Sequence, residues 1–199
     1  IPNAKEYYLY KKTYNSSEKQ WSSWKKIKVL TKTSFEDTNV ESGKIYRYTV
    51  KAINGAGFSG YESYGLKIRY LAKTKISSVK NVANGVELKW SKVKGAYGYR
   101  VYRKAPGATK WSQIAKTTGT SYTDKNVKVG SVYTYTVRAY KGNTLSEYNK
   151  NGWVGVILKI PTVKIANASN GVNVSWSKIS GASGYTVYSS EYNANTGKW

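Results

Sequence analysis

The chain of 199 residues contains no cysteine and no histidine. There is therefore no thiol nucleophile, no imidazole general base, no Cys- or His-based zinc site and no disulfide framework. Acidic residues are also scarce, 10 against 33 Lys plus Arg, which gives a net charge of +23. Paired carboxylates are the one catalytic route left, and they find little support. Glu36 and Asp37 are neighbours in sequence, so strand alternation sends them to opposite faces. Asp124 reads as a turn cap. No cofactor is expected and the chain reads as non-enzymatic. No run approaches the roughly 18 apolar residues of a membrane span, so no membrane insertion is expected. The amino end, IPNAKEYYLY, has no charged start followed by an apolar stretch; either the chain is soluble or its targeting segments lie outside it.

What is abundant is tyrosine, 20 residues, within an aromatic content of 15% and a hydrophobic content of 40%. That composition describes a folded chain and not a disordered basic tail. It is also repetitive. GVELKWSKVKGAYGYRVY at 85–102 returns as GVNVSWSKISGASGYTVY at 171–188, placing Trp90 and Trp176 86 residues apart. A second run beginning WSQIAKTTGTSYTD at Trp111 matches one beginning WKKIKVLTKTSFED at Trp24, 87 residues earlier. Three repeats follow, 1–73, 74–160 and 161–199. Repeat two is complete. Repeat one aligns from Ile1 with Val93 and so falls after the first two strands, and repeat three reaches Trp199 soon after its third. The segments around 71–75 and at Pro161 mark short, stiff linkers.

Within repeat two, Val86, Leu88 and Trp90 alternate with polar residues, as do Tyr133, Tyr135, Val137 and Ala139, the period of half-buried strands. Asn84-Gly85, Lys94-Gly95, Pro106-Gly107, Val129-Gly130 and Gly142-Asn143 separate them as turns. No helical period of useful length is present. Seven short strands at this spacing predict an all-β, Ig-like sandwich.

The segments WSKVKGAYGYRVYR, WSQIA, TSYTD and GSVYTYTVRAY resemble bacterial fibronectin type III domains over nearly the whole chain. The resemblance implies tandem fibronectin type III-like sandwiches, one complete copy flanked by two partial ones. It places a core tryptophan in the second strand, matched by Trp90 and Trp176, and a corner tyrosine opening the sixth, matched by Tyr46 and Tyr133. It further implies a spacer or adhesion module in a secreted or wall-attached protein of a Gram-positive bacterium, often beside carbohydrate-active domains. The tripeptide Arg-Gly-Asp known from some animal members is absent, so integrin-type recognition is not expected.

Alternation divides the third and sixth strands. If Tyr99, Val101, Tyr135 and Val137 point into the core, then Arg100, Tyr102, Arg138 and Tyr140 point outward. Repeat one repeats this basic, aromatic face with Tyr8, Tyr10, Arg47 and Lys51, and Trp24 and Trp111 open the strand that follows in each. Such a face can stack sugar rings while its cations meet anionic groups. It can equally be cross-strand packing that stabilises an exposed sheet. Trp21 and Trp153 fall outside the shared pattern; packing between repeats is the favoured reading for both, a ligand platform the other.

The charge is spread, 14 basic against 6 acidic residues in 1–73, 16 against 3 in 74–160 and 3 against 1 in 161–199, with no arginine-rich run. A diffuse coat fits attraction to an anionic wall polymer or glycan, or mere solubility, better than sequence-specific nucleic-acid readout. The expected partners are neighbouring domains of a longer chain and such a polymer. Head-to-tail self-association is also open, with repeat one completed by the opening strands of repeat three from another molecule. The two halves overlap at the third strand, which favours missing flanking sequence over that exchange.

Overall fold

The computed structural model describes residues 4–199 and contains only strands and turns. Ile1, where the alignment of repeat one begins, lies outside the described residues.

Repeat two contributes β7 (Ile76–Val82), β8 (Gly85–Trp90), β9 (Gly98–Lys104), β10 (Ser112–Thr117), β11 (Ser121–Asp124), β12 (Val132–Lys141), β13 (Thr144–Leu145) and β14 (Trp153–Val156). They form two sheets, β11-β8-β7 and β10-β9-β12-β13 with β14 also paired to β12. The inward residues of each sheet meet in one core. Val86, Leu88 and Trp90 of β8 face Tyr99 and Val101 of β9 and Tyr133, Tyr135, Val137 and Ala139 of β12, all buried. Trp90 lies edge-on to Tyr99 at 5.5 Å between ring centres. Tyr133 closes the corner before β12, its phenol oxygen accepting from the Lys128 amide at 3.0 Å, and Tyr99 does the same for Val93 at 2.8 Å.

Repeat one carries β1 (Glu6–Asn15), β2 (Gln20–Trp21), β3 (Lys25–Leu30), β4 (Ile45–Asn54), β5 (Gly57–Phe58) and β6 (Leu66–Arg69). All six belong to one sheet. Tyr46 is buried and accepts from the Glu41 amide at 2.8 Å, the counterpart of the Tyr133 corner. The stretch Ser34–Asp37 matches β11 in sequence, yet it forms no strand, because among the described residues nothing occupies the place that β8 takes beside β11. The consequence reads directly in burial: Val50 is 45% exposed, whereas its counterpart Val137 is 1% exposed.

Repeat three supplies a hairpin, β15 (Val163–Ala168) and β16 (Gly171–Trp176), paired in register from Val163↔Trp176 to Ala168↔Gly171. Two expectations are corrected here. Trp176 is not a core residue, being 37% exposed and resting on Tyr185 at 5.5 Å. The segment Tyr185–Tyr188 matches Tyr99–Tyr102 of β9 but forms no strand. Both follow from one cause: a strand needs a neighbour to satisfy its backbone, and a core tryptophan needs a facing sheet.

The repeats meet through a recurring contact. The turn at Gly43 of repeat one abuts the turn at Gly95 of repeat two, and the turn at Gly130 of repeat two abuts that at Gly181 of repeat three. All four glycines have positive φ, between +77° and +92°, a conformation that costs L-residues roughly 1–2 kcal/mol. A Cβ on Gly95 would stand 2.2 Å from the Gly43 Cα, and one on Gly181 2.6 Å from the Gly130 Cα. Hydrogen bonds lock the junction to the linker. The Gly43 amide donates to the Tyr70 carbonyl at 2.8 Å and the Gly130 amide to Ile157 at 2.9 Å. Ser42 bridges both repeats, its hydroxyl donating to the Lys94 carbonyl at 2.8 Å and accepting from the Ala72 amide at 3.0 Å.

Candidate functional site

The outer face of repeat one is built by pairing β1 with β4, which sets Tyr8 opposite Lys51, Tyr10 opposite Thr49 and Lys12 opposite Arg47. Cations lie over the rings. Lys26 Nζ sits 4.0 Å from the Tyr8 ring centre, Lys51 5.9 Å from Tyr10 and 4.5 Å from Tyr61, and Lys12 4.4 Å from Trp24. The Arg47 guanidinium stands 4.6 Å from Trp21. Trp21 also packs on Tyr14 at 5.2 Å, so it belongs to this face and not to a contact between repeats, because β2 folds back on the end of β1. Trp153 likewise lies within its own repeat, exposed on β14 opposite Tyr135.

Repeat two builds the same surface. Arg100 pairs with Arg138 and Tyr102 with Thr136 across β9 and β12. Tyr102, Arg100 and Arg138 are half-buried. Lys104 lies 4.8 Å from the Trp111 ring, Arg138 5.1 Å from Tyr148, and Lys116 4.8 Å and Arg100 5.6 Å from Tyr140. One member is corrected: Tyr140, expected as part of the exposed ligand face, is 6% exposed. It points outward as alternation requires, but Tyr97 and the cations of Arg100 and Lys116 close over it.

Trp24 and Trp111 are fixed from beneath by glycine. Gly65 and Gly152, at φ +67° and +72°, let the backbone pass under the indoles; a Cβ there would come within 2.5 Å of the Trp24 ring and 2.7 Å of the Trp111 ring. The two faces are thus ridges in which cations cover aromatic surface. A recess between Tyr10, Trp24, Thr49, Lys51 and Tyr61 holds about 60 Å³, far below the roughly 300–1,000 Å³ of ordinary ligand pockets.

Two further features belong to the same repeats. First, repeats one and two each contain a carboxylate triad, half-buried at Asp37 and buried at Asp124. Asp124 Oδ2 accepts from Arg103 at 2.8 Å and from the Tyr135 hydroxyl at 3.0 Å, and Oδ1 accepts from the Asn126 amide at 3.1 Å. In repeat one Asp37 accepts from Lys11 at 2.7 Å, Tyr48 at 2.7 Å and the Asn39 amide at 3.0 Å. Burial pushes the Asp37 carboxyl up, but the Lys11 and Tyr48 hydrogen bonds, the Asn39 amide and the Lys11 charge together hold it below its ordinary value. Burial, then the adjoining carboxylate, pushes the Tyr48 and Tyr135 phenols well up from theirs. The turn-cap role of Asp124 is present, through the Asn126 amide, but it is one of three bonds. Every carboxylate oxygen is engaged in both triads; Asp124 is enclosed, at 2% exposure, whereas Asp37 and Tyr48 stand at the edge of an open groove.

Second, the uncovered face of the repeat-one sheet forms an apolar groove of about 650 Å³ lined by Tyr7, Leu9, Phe35, Val50, Ile68 and Tyr70 among others. Among the described residues no group of His, Cys, Asp and Glu is placed to hold a metal ion, and no helix is long and apolar enough to cross a membrane.

Repeat two defines the class: a three-stranded sheet packed on a five-stranded one, with a tyrosine corner, in an all-β tandem array. Its neighbours among solved structures are fibronectin type III segments. A two-domain segment of chicken tenascin aligns at a TM-score of 0.43 and 14% identity, covering 77% of this chain and 85% of that one. The FN1–FN3 domains of chicken CNTN1 align at 0.36 and 16%, covering 72% and 52%. No protein-family model matches the sequence. Exoglucanase B of Cellulomonas fimi is 34% identical over 129 residues, 57% of this chain and 11% of that protein. Amylopullulanase of Thermoanaerobacterium saccharolyticum is 33% identical over 97 residues, 43% of this chain and 8% of that protein. The chain thus spans about a tenth of the length of these relatives.

Proposed function

We propose that this chain is a non-catalytic spacer of an extracellular bacterial protein, a run of sandwiches that holds its neighbours at a set separation. The observation that carries the reading is the junction. The same turn-on-turn glycine contact recurs at Gly43–Gly95 and Gly130–Gly181, each tied to its linker by an equivalent hydrogen bond. Domains joined by a linker alone reorient freely; two backbones in contact without intervening side chains leave little angular freedom. The names of the two relatives denote carbohydrate-degrading enzymes, and the match covers only a small share of each, which suits an accessory region outside a catalytic domain.

Small-angle X-ray scattering tests this on the whole chain. The scattering should fit one rigid arrangement of the repeats. Replacing Gly43 and Gly130 with Ala, which forces Gly95 and Ser180 away, should broaden the distance distribution. Scattering from the unaltered chain that already matches freely reorienting repeats would end the spacer reading.

A second reading is adhesion to an anionic polysaccharide or wall polymer. It draws on the net charge of +23 and on outer faces that present Lys and Arg above aromatic rings in both repeats. Here Tyr8, Tyr10, Trp24, Arg47 and Lys51, with Arg100, Tyr102, Trp111 and Arg138, serve as a cationic ridge and not as a sugar-stacking cleft, since the cations already occupy the ring faces. A Gram-positive wall supplies polymers of the required charge.

A further inference from the structure

Three cations stand in line across the outer face of each of two sheets. In repeat one Lys12 of β1 is paired with Arg47 of β4, and Arg47 with Lys67 of β6. In repeat two Lys116 of β10 is paired with Arg100 of β9, and Arg100 with Arg138 of β12. Neighbouring strands lie about 4.8 Å apart, so each row sets three positive charges on backbone spanning about 10 Å. Like charges directly opposite on adjacent strands destabilise a sheet. No carboxylate relieves these rows: the ion pairs among the described residues take Lys11, Lys89 and Arg103 as their cations. The central cation of each row is also short of partners, since Arg47 Nε and Arg100 Nε are buried without a hydrogen bond.

Both rows flank the same joint. Arg47 follows Gly43 by four residues and Arg100 follows Gly95 by five, and those two glycines are in contact. At no more than about 3.6 Å of backbone per residue, the two arginines lie within roughly 36 Å of each other. The touching turns, 41–44 and 91–97, add exposed Lys44, Lys92 and Lys94 against a single acid, Glu41. Positive charge therefore continues from one row to the other.

We propose that the joint between repeats one and two binds a linear anionic polysaccharide, one chain of which crosses both cation rows. The proposal rests on the adhesion reading and gives it a location. A polymer held at one row is presented to the other at high effective concentration, so two modest contacts combine into firm attachment. Single-stranded nucleic acid fits less well, because bases need free aromatic faces and here Arg47 covers Trp21, Lys12 covers Trp24, and Arg100 and Lys116 cover Tyr140.

Calorimetric titration of the whole chain with polygalacturonate tests this in about 0.1 M salt, where remote charges are largely screened. The unaltered chain should bind saturably. Lys67→Glu and Lys116→Glu, both at exposed positions, should each weaken binding by about tenfold or more at unchanged capacity, since an attraction becomes a repulsion. Lys110→Glu with Lys125→Glu, exposed and outside the rows, shifts net charge as much as both row substitutions together and should cost less than about threefold. Melting temperatures of the row variants should hold or rise, because each new carboxylate stands opposite an arginine; a fall in both would overturn the like-charge rows. No binding by the unaltered chain would overturn the proposal and the adhesion reading together. Equal weakening by row and control variants would overturn the proposal alone and leave adhesion to a diffuse coat. Halved capacity with undiminished affinity in a row variant would overturn occupation of both rows by one polymer. Tighter binding of single-stranded DNA, lost in the same variants, would overturn the assignment to polysaccharide.

Discussion

Removing the Asp124 carboxylate tests whether the buried triad holds repeat two together. Its side chain is 2% exposed, and it takes hydrogen bonds from Arg103, Tyr135 and the Asn126 amide. Asp124→Ala deletes all three and leaves the Arg103 guanidinium, 18% exposed, with only the Asn126 carbonyl and the Tyr133 ring as partners. Breaking a buried ion pair from one side costs about 3–5 kcal/mol, because the remaining charge stays desolvated. For a domain of this size each kcal/mol lowers the melting temperature by roughly 4–8 °C, so the transition should fall by roughly 12–40 °C. Calorimetry on the whole chain, with urea denaturation as a second measure, reads it directly. Replacing both partners, Asp124→Leu with Arg103→Met, should restore much of the loss, since neither charge then remains buried. A shift below about 5 °C in Asp124→Ala, or a double variant worse than the single, would refute the reasoning.

Two more outcomes are expected. Tyr48 and Tyr135 have phenols raised above their ordinary value of 10.0 by burial and by the carboxylates they donate to. Above pH 10.0 the unfolded chain releases these protons and the folded chain keeps them, so stability present below that pH is lost as it rises further; urea midpoints measured from about pH 9 to about pH 11 should fall, less so in Tyr135→Phe, and a flat profile would count against it. Trp111→Ala should lower the stability of repeat two, since the indole bridges Gly152, Tyr148 and Lys104; if it instead abolished binding of an anionic polysaccharide and left the melting temperature unchanged, the adhesion reading would displace the spacer.

The strands of repeat two are legible because alternation is a local signal: Tyr133, Tyr135, Val137 and Ala139 declare their face without reference to the rest of the chain. Trp176 shows where that stops. It shares its sequence neighbourhood with Trp90, yet burial is decided by a facing sheet tens of residues away. Tyr140 shows a second limit, since alternation predicts that it points outward but not that Arg100, Lys116 and Tyr97 fold over it. The triads left a trace in the matching Asp37 and Asp124. Their basic partners, Lys11 and Arg103, are 92 residues apart and not 87, because the insertion around Trp21 shifts the spacing and hides the correspondence. The junction glycines recur in sequence as well, but a turn glycine carries no local sign of what lies against it.

Because the glycine contact at each junction is main chain against main chain, few side chains beyond Ser42 and Ser180 bear on its geometry. Duplicating one unit of 86 or 87 residues adds another joint of the same kind without a new interface having to arise. Length in such an array grows by whole increments, each closed by the same contact between glycines.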